Sequence, residues 1–243
     1  MELSAIVTGA ARGIGQAVVL RLRAAGHRVV AVDIRPAVTD LAEEGRVVPV
    51  VADVTADDAA QAAVGRAVTE FGRLDLLVNN AGRFLRRPLL ETTDDDFDAL
   101  FAVNVRPAFR FSRAALPLLI RTRGCIVNTA SISGLVGIAG QSVYAMTKGA
   151  VVQLTRQLAV EGAAHGVRVN AGAPGAVDTD FMAEARAADP DPAAGLAATL
   201  SNHPIGRMST ADEVARAIVF LAVPESGGIT GTILSVDGGY VAR

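Results

Sequence analysis

The chain has 243 residues, 51% apolar and 20% charged, which is enough apolar material for a sizeable core and excludes a disordered state. Its 23 basic and 25 acidic side chains leave a formal charge of −2, so neither nucleic acid nor an anionic membrane surface is an expected partner. One cysteine, Cys125, excludes an internal disulfide framework, and three scattered histidines offer no zinc spacing, so no metal is expected.

In chain order, the opening MELSAIVTGA lacks the basic and apolar regions of a signal peptide, and Leu3–Thr8 is predicted as a first strand. A glycine-rich turn follows, then a predicted helix over Gln16–Ala25. Short β-branched runs predict buried parallel strands at Arg28–Asp33 and Val47–Val51, and the pattern returns at Leu74–Asn79, Gly124–Thr129, Val167–Asn170 and Thr232–Val236. Helices are predicted between them at Asp57–Phe71, Asp94–Thr122, Ser142–Ala164 and Ala211–Ala222. This alternation predicts a single α/β domain over residues 1–243, a doubly wound parallel sheet covered by helices on both faces. Its ligand would sit beyond the carboxyl ends of the strands. The longest uncharged run, Gly124 to Thr147, is too interrupted by glycines and by Asn128, Ser131, Ser133, Gln141 and Ser142 to span a bilayer. A cytoplasmic location is expected. The acidic run at Asp94, Asp95, Asp96 and Asp98 reads as the first turn of a helix capped by Thr93 or Asp94, not as a metal site.

The turn Thr8-Gly9-Ala10-Ala11-Arg12-Gly13-Ile14-Gly15 has the spacing G-x-x-x-G-x-G, a variant of the dinucleotide fingerprint. Backbone amides must approach a pyrophosphate there, and glycine permits the approach without a clash. Asp33 closes the second strand 18 residues after Gly15, where a carboxylate can accept bonds from an adenosine ribose. That carboxylate favours NAD and faces the 2′-phosphate of NADP unfavourably, whereas Arg12 and Arg35 are placed to favour NADP. Asp33 is weighed more heavily, because it is fixed at a strand end.

Of the 23 basic residues, 22 are arginine; the single lysine, Lys148, lies four residues after Tyr144. On a helix that spacing puts both side chains on one face. A free tyrosine titrates near ~10, and a neighbouring cation would lower that value toward the range of a useful base. Ser131, 13 residues before Tyr144, could donate a bond to a substrate carbonyl.

With these residues together, the chain resembles the short-chain dehydrogenase/reductase family over essentially its whole length, which implies a Rossmann-type sheet of mainly seven strands. TGAARGIG matches the family's cofactor turn (Gly9, Arg12, Gly13, Ile14, Gly15), and Asp53-Val54 matches the pair that flanks adenine. Asn79-Asn80-Ala81-Gly82 resembles the motif after the fourth strand, while Asn104, Ser131, Tyr144 and Lys148 fall where the family places its catalytic tetrad. Pro174-Gly175, Val177 and Thr179 resemble the segment that holds the nicotinamide. The resemblance implies hydride transfer between NAD, or NADP, and a secondary alcohol, diol or ketone. Tyr144 would exchange the proton, Ser131 would polarise the carbonyl, Lys148 would bind the ribose and lower the tyrosine, and Asn104 would anchor a water. A homodimer or homotetramer through the helices Asp94–Thr122 and Ser142–Ala164 is implied as well.

Two departures are informative. Only twenty positions separate Asp33 from Asp53, with Pro36 early among them, so the third helix is expected to be short or irregular. That shortening is similar to some bacterial cis-dihydrodiol dehydrogenases. The Ala-rich segment near residues 181–206 corresponds to the family's substrate lid. Arg83, Arg86 and Arg87 would either meet an anionic substrate or acyl carrier, or form a solvated loop. An NADPH-dependent 3-oxoacyl-carrier-protein reductase is the alternative activity. A non-catalytic nucleotide sensor is a remote one, since such modules typically lack the tyrosine or the lysine.

Overall fold

The computed structural model describes residues 2–180, 182–183 and 191–243. Strands and helices alternate as β1 (Ser4–Thr8), α1 (Gly13–Ala24), β2 (Arg28–Asp33), β3 (Val47–Val51), α2 (Ala59–Phe71), β4 (Leu76–Asn79), α3 (Asp94–Asn104) and α4 (Arg106–Thr122). They continue as β5 (Cys125–Thr129), α5 (Ser142–Ala163), β6 (Arg168–Pro174), β7 (Val177–Asp178), α6 (Pro192–Ser201), β8 (Ser209–Thr210), α7 (Ala211–Ala222) and β9 (Ile233–Val236). Seven strands form one parallel sheet in the order β3-β2-β1-β4-β5-β6-β9, the expected Rossmann-type arrangement, and β7 pairs with β8 apart from it.

Period-two alternation divides the core between the two faces. Ala5 and Val7 of β1 join Val18, Val19 and Leu22 of α1 and Ile218 and Leu221 of α7. Ile6, between them, joins Ala63 and Ala67 of α2 and Phe111, Ala115 and Leu119 of α4 on the opposite face. The strand order reverses across β1 and β4, so the loops after these two strands open a crevice at the carboxyl edge. The glycine turn follows one strand and Asn79–Gly82 the other.

Two local predictions are refined. The helix expected over Asp94–Thr122 is two helices, interrupted at Val105 with φ −110° and ψ −54°. Pro107 explains the break, because it has no N–H for the carbonyl of Val103 and its ring clashes there. Strand β6 runs on to Pro174, beyond the predicted Asn170, because Ala171 and Gly172 pair with β5 on one side and β9 on the other. Its small residues suit the close approach of α7: a Cβ on Gly172 would lie 3.5 Å from Ile218 Cγ1. Between β2 and β3 there is only a 3-10 helix over Pro36–Leu41, the short element expected. The anticipated cap of α3 is Thr93, whose side chain and that of Asp96 exchange bonds with each other's backbone N–H groups. Of the segment near 181–206, residues 181 and 184–190 lie outside the described residues; α6 occupies part of the remainder.

Candidate active site

Thr8, at the end of β1, staples the glycine turn to β4: its Oγ1 accepts from the backbone N–H groups of Asn80 (3.0 Å) and Ala81 (3.1 Å). Asn80 Nδ2 donates to the carbonyls of Thr8 and Gly9, both at 3.1 Å. A Cβ on Gly9 (φ +67°) would lie 2.9 Å from Ala81 Cα, and one on Gly15 would lie 2.0 Å from Gly9 O. No side chain fits at either position. Arg12 stands at the N-cap of α1 without a side-chain capping bond, and the first turn carries no acidic residue. The amides of Gly13, Ile14 and Gly15, ahead of the first intrahelical bond from Gln16 N to Arg12 O, are thus left for an anion, as a pyrophosphate requires. The donors fit a dinucleotide.

The other predicted cofactor residues line the same edge. Asp33 is 8% exposed, and its carboxylate accepts from Ala11 N and Arg35 N, each at 2.9 Å, so it is locked between β2 and the glycine turn. Asp53 is exposed and holds Thr55 N at 2.8 Å. Val54 and Val177 are buried in the core, so a ligand can meet them chiefly through their backbone. Ile14 packs against the same core. Thr179 lies beside Gly13, 3.4 Å from where a Cβ would stand. Pro174 closes β6, and a Cβ on Gly175 would lie 2.7 Å from His203 Nε2.

Ser131, Tyr144 and Lys148 converge at the ends of β5 and the start of α5, at 8%, 8% and 5% exposure. Lys148 Nζ donates to Thr129 O at 2.8 Å and lies 5.8 Å from the centre of the Tyr144 ring. Burial pushes the ammonium down to about 8. Burial also pushes the phenol up to about 12, with a hydrogen bond to Ser131 opposing it. The expected lowering of Tyr144 by Lys148 is therefore not what the protein alone produces: lost hydration outweighs the hydrogen bond from Ser131. Ser131 Oγ accepts from Ser133 N at 3.2 Å and donates to Ser133 Oγ at 3.3 Å, and Ser133 in turn donates to Gln141 Oε1 at 2.6 Å. Phe84 meets the Tyr144 ring edge-on at 4.9 Å.

Asn104 is buried beside this group, but its side chain is already committed. Its Oδ1 accepts from Arg83 N (2.7 Å), and its Nδ2 donates to Arg83 O (2.9 Å) and Thr147 Oγ1 (3.0 Å). It thereby ties the α3–α4 break to the loop after β4. Gly82 lies between, where a Cβ would stand 3.3 Å from Asn104 Oδ1 and 3.7 Å from Lys148 Nζ. Asn79 donates to Asn128 Oδ1 at 2.9 Å and braces β4 against β5. Of the three arginines, Arg87 is paired with Asp96 and donates its backbone N–H to Gly140 O at 2.7 Å, which makes it a structural clamp. Arg83 and Arg86 are exposed. Cys125 is a buried core thiol that burial pushes up to about 12. Sequence reasoning missed Thr129, Gln141 and His203, whose backbone or side-chain contacts cross between elements. A histidine just after a helix and before Pro204 was the only local signal for the last of these.

Comparison with known proteins agrees with this arrangement. A family model described as enoyl-(acyl carrier protein) reductase matches residues 9–241. A 3-oxoacyl-[acyl-carrier-protein] reductase of Thermotoga maritima is 37% identical, over 97% of this chain and 96% of its own. A 2-(R)-hydroxypropyl-CoM dehydrogenase of Xanthobacter autotrophicus is 39% identical, over the whole of both chains. The solved structure of ElxO with NADP bound superposes with a TM-score of 0.91 at 32% identity, again over all of both chains. The glycine turn, the buried serine, tyrosine and lysine, and these likenesses along its length make the chain a member of the short-chain dehydrogenase/reductase family of oxidoreductases.

Proposed function

We propose that this protein interconverts a secondary alcohol, or a diol, and a ketone with NAD as its preferred hydride carrier. The observation that carries the reading is the convergence of Ser131, Tyr144 and Lys148, all buried, at the edge where the glycine turn leaves α1 amides open. The nicotinamide supplies or accepts the hydride; the remaining chemistry falls to side chains. The Tyr144 hydroxyl gives a proton to the substrate oxygen in reduction and takes it back in oxidation. Ser131 Oγ, turning its one proton from Ser133 Oγ to that oxygen, holds it and polarises it. Lys148, with one N–H engaged by Thr129 O, has donors left for a ribose hydroxyl and keeps a cation near the phenol. Asn104, its amide committed, would hold a water through its main-chain carbonyl. Gly9, Arg12, Gly13, Ile14 and Gly15 would receive the pyrophosphate, Asp53 and Val54 the adenine, and Pro174, Gly175, Val177 and Thr179 the nicotinamide. Asn80, Ala81 and Gly82 would hold the turn against it.

Asp33 supports NAD: its carboxylate is held at the end of β2 by two backbone amides, where on this reading it would meet the adenosine ribose. Against this stands the NADP bound to ElxO, so the second reading is an NADPH-dependent 3-oxoacyl-carrier-protein reductase. The exposed Arg83 and Arg86 would suit its anionic partner. We further propose a homodimer or homotetramer through α4 and α5, which is supported by the exposed Phe109 (46%) and Val160 (75%). The deciding experiment screens alcohols, diols, sugars and hydroxy acids with NAD and NADP by nicotinamide absorbance. Oxidation with NAD at the higher kcat/KM supports the reading. A higher kcat/KM with NADP moves the acyl-carrier reductase to first place, and no turnover on any alcohol or ketone refutes both.

A further inference from the structure

His203 is 4% exposed and stands apart from the proton-transfer group. It follows α6, where Thr199 lies in the last turn and its carbonyl has no helical N–H to accept. His203 Nδ1 is 2.7 Å from that carbonyl oxygen. On the other side of the ring, Ala176 N lies 3.0 Å from Nε2. A carbonyl can only accept and a backbone N–H can only donate, so Nδ1 carries the proton and Nε2 the lone pair. The neutral imidazole satisfies both neighbours at once. The ring also meets Tyr240 edge-on at 5.2 Å.

Three segments meet at this ring. The turn after β6 comes so close that residue 175 must be glycine: a Cβ there would lie 2.7 Å from Nε2 and 3.0 Å from Asp237 Cα. The end of α6 is joined through Thr199. The C-terminal turn is held by Asp237, whose carboxylate accepts from Gly239 N and Val241 N at 3.0 Å, and by the bond from Ile205 N to Gly238 O at 3.1 Å.

We propose that His203 is a positioning residue for the nicotinamide end of the cofactor site, its imidazole bridging Ala176 N–H to Thr199 O and so holding Pro174–Val177 in register with α6. The proposal rests on the reading of Pro174–Thr179 as the nicotinamide-holding segment. Without the bridge, Ala176 N–H is buried and unpaired, and the turn must shift to find a partner. A shift there moves only what the turn touches. The adenosine and pyrophosphate contacts, made by the glycine turn, α1, the end of β2 and Asp53–Val54, stay where they are.

That asymmetry gives the test, which is calorimetric titration of the full-length protein with NADH and with ADP-ribose, a ligand lacking only the nicotinamide. His203→Phe keeps a ring against Tyr240 and deletes both bonds. NADH affinity should fall by about ten-fold while ADP-ribose changes by less than about two-fold, the size expected for one buried bond lost on one side only. His203→Gln, whose Oε1 can accept at the Nε2 position, should recover most of the NADH affinity. If His203→Phe does not fold, His203→Asn reads the same ratio, since it can still donate to Thr199 O but cannot reach Ala176. Equal losses for both ligands would reduce His203 to a general structural role and overturn the proposal, as would unchanged NADH affinity in a folded variant. Wild-type protein that binds ADP-ribose as tightly as NADH would instead refute the reading of Pro174–Thr179, and His203's role with it.

Discussion

Replacing Lys148 by Met should abolish turnover and make the protein more stable. The ammonium is 5% exposed and burial takes it from its ordinary 10.5 to about 8. A base with a depressed folded value binds fewer protons in the native than in the unfolded state between those two pH values. Its penalty is therefore full below about pH 8, and stability is recovered as pH rises from 8 toward 10.5. The shift corresponds to about 3 kcal/mol of destabilisation at pH 7. Methionine removes that cost and fills similar space, but forfeits the Nζ bond to Thr129 O, worth about 1 kcal/mol. The net gain at pH 7 is about 2 kcal/mol, or roughly 4–8 °C in Tm for a chain of this size. Urea denaturation of both proteins at pH 7, 8.5 and 10 measures it. The advantage of K148M should be largest at pH 7 and should shrink by pH 10. Comparing the two proteins at each pH cancels Tyr144 and Cys125, both held protonated by burial and both drawing stability down at alkaline pH. A less stable variant at pH 7, or an advantage that grows with pH, would refute the argument.

Tyr144→Phe should lower turnover by roughly 10²–10⁴-fold while leaving dinucleotide affinity within a few-fold, measured by steady-state rates and calorimetry. Substantial residual turnover would remove Tyr144 from the proton transfer. Because burial holds the phenol at about 12, alcohol oxidation should speed up from pH 7 to 9 while carbonyl reduction, which uses the protonated form, stays level or falls. Oxidation that slows over this range, or reduction that speeds up, would contradict the assignment. Asp33→Ser should erode NAD preference over NADP by about 1–3 kcal/mol, some 5- to 150-fold in relative kcat/KM. An unchanged ratio would show that the carboxylate held by Ala11 N and Arg35 N does not select the cofactor.

The parts legible in the sequence are those whose cause is local. The glycine turn is forced by contacts within one loop and its neighbouring strand, and the Tyr144–Lys148 spacing is a property of one helix turn. Pro107 also carried a readable signal, that of a residue opening a new helix, but the apolar periodicity on either side of it masked the break. The remainder depends on distant partners. Strand β6 extends through Ala171 and Gly172, poor strand formers by themselves, because β5 and β9 flank them. Asn104 takes its bonds from Arg83 and Thr147, 21 and 43 residues away, so a role assigned by position says nothing of an amide already in use. The direction of Tyr144's shift depends on burial, which a spacing of four residues cannot reveal.

The composition of the chain acquires a physical reason at the same place. Twenty-two of its 23 basic side chains are arginine, and among the described residues Lys148 is the only lysine or arginine that is buried. The arginines of the ion pairs keep substantial exposure, from 22% for Arg110 to 65% for Arg216, where water shares the solvation of a charge that cannot be shed. Among the described residues Lys148 has no carboxylate partner, only a carbonyl oxygen, and a guanidinium there would be a permanent charge in a dry site. An ammonium depressed to about 8 remains mostly charged at neutral pH, yet sits near enough to that pH for solvation to be balanced against its use. Its compact head also fits between Thr129 O and the Tyr144 ring, where the planar fork of arginine would meet the backbone near Gly82. Lys148→Arg keeps the charge and should still lose turnover, and it should lose stability where Lys148→Met gains it. If Arg supported activity at this position, neither solvation nor shape could account for the one lysine the chain retains.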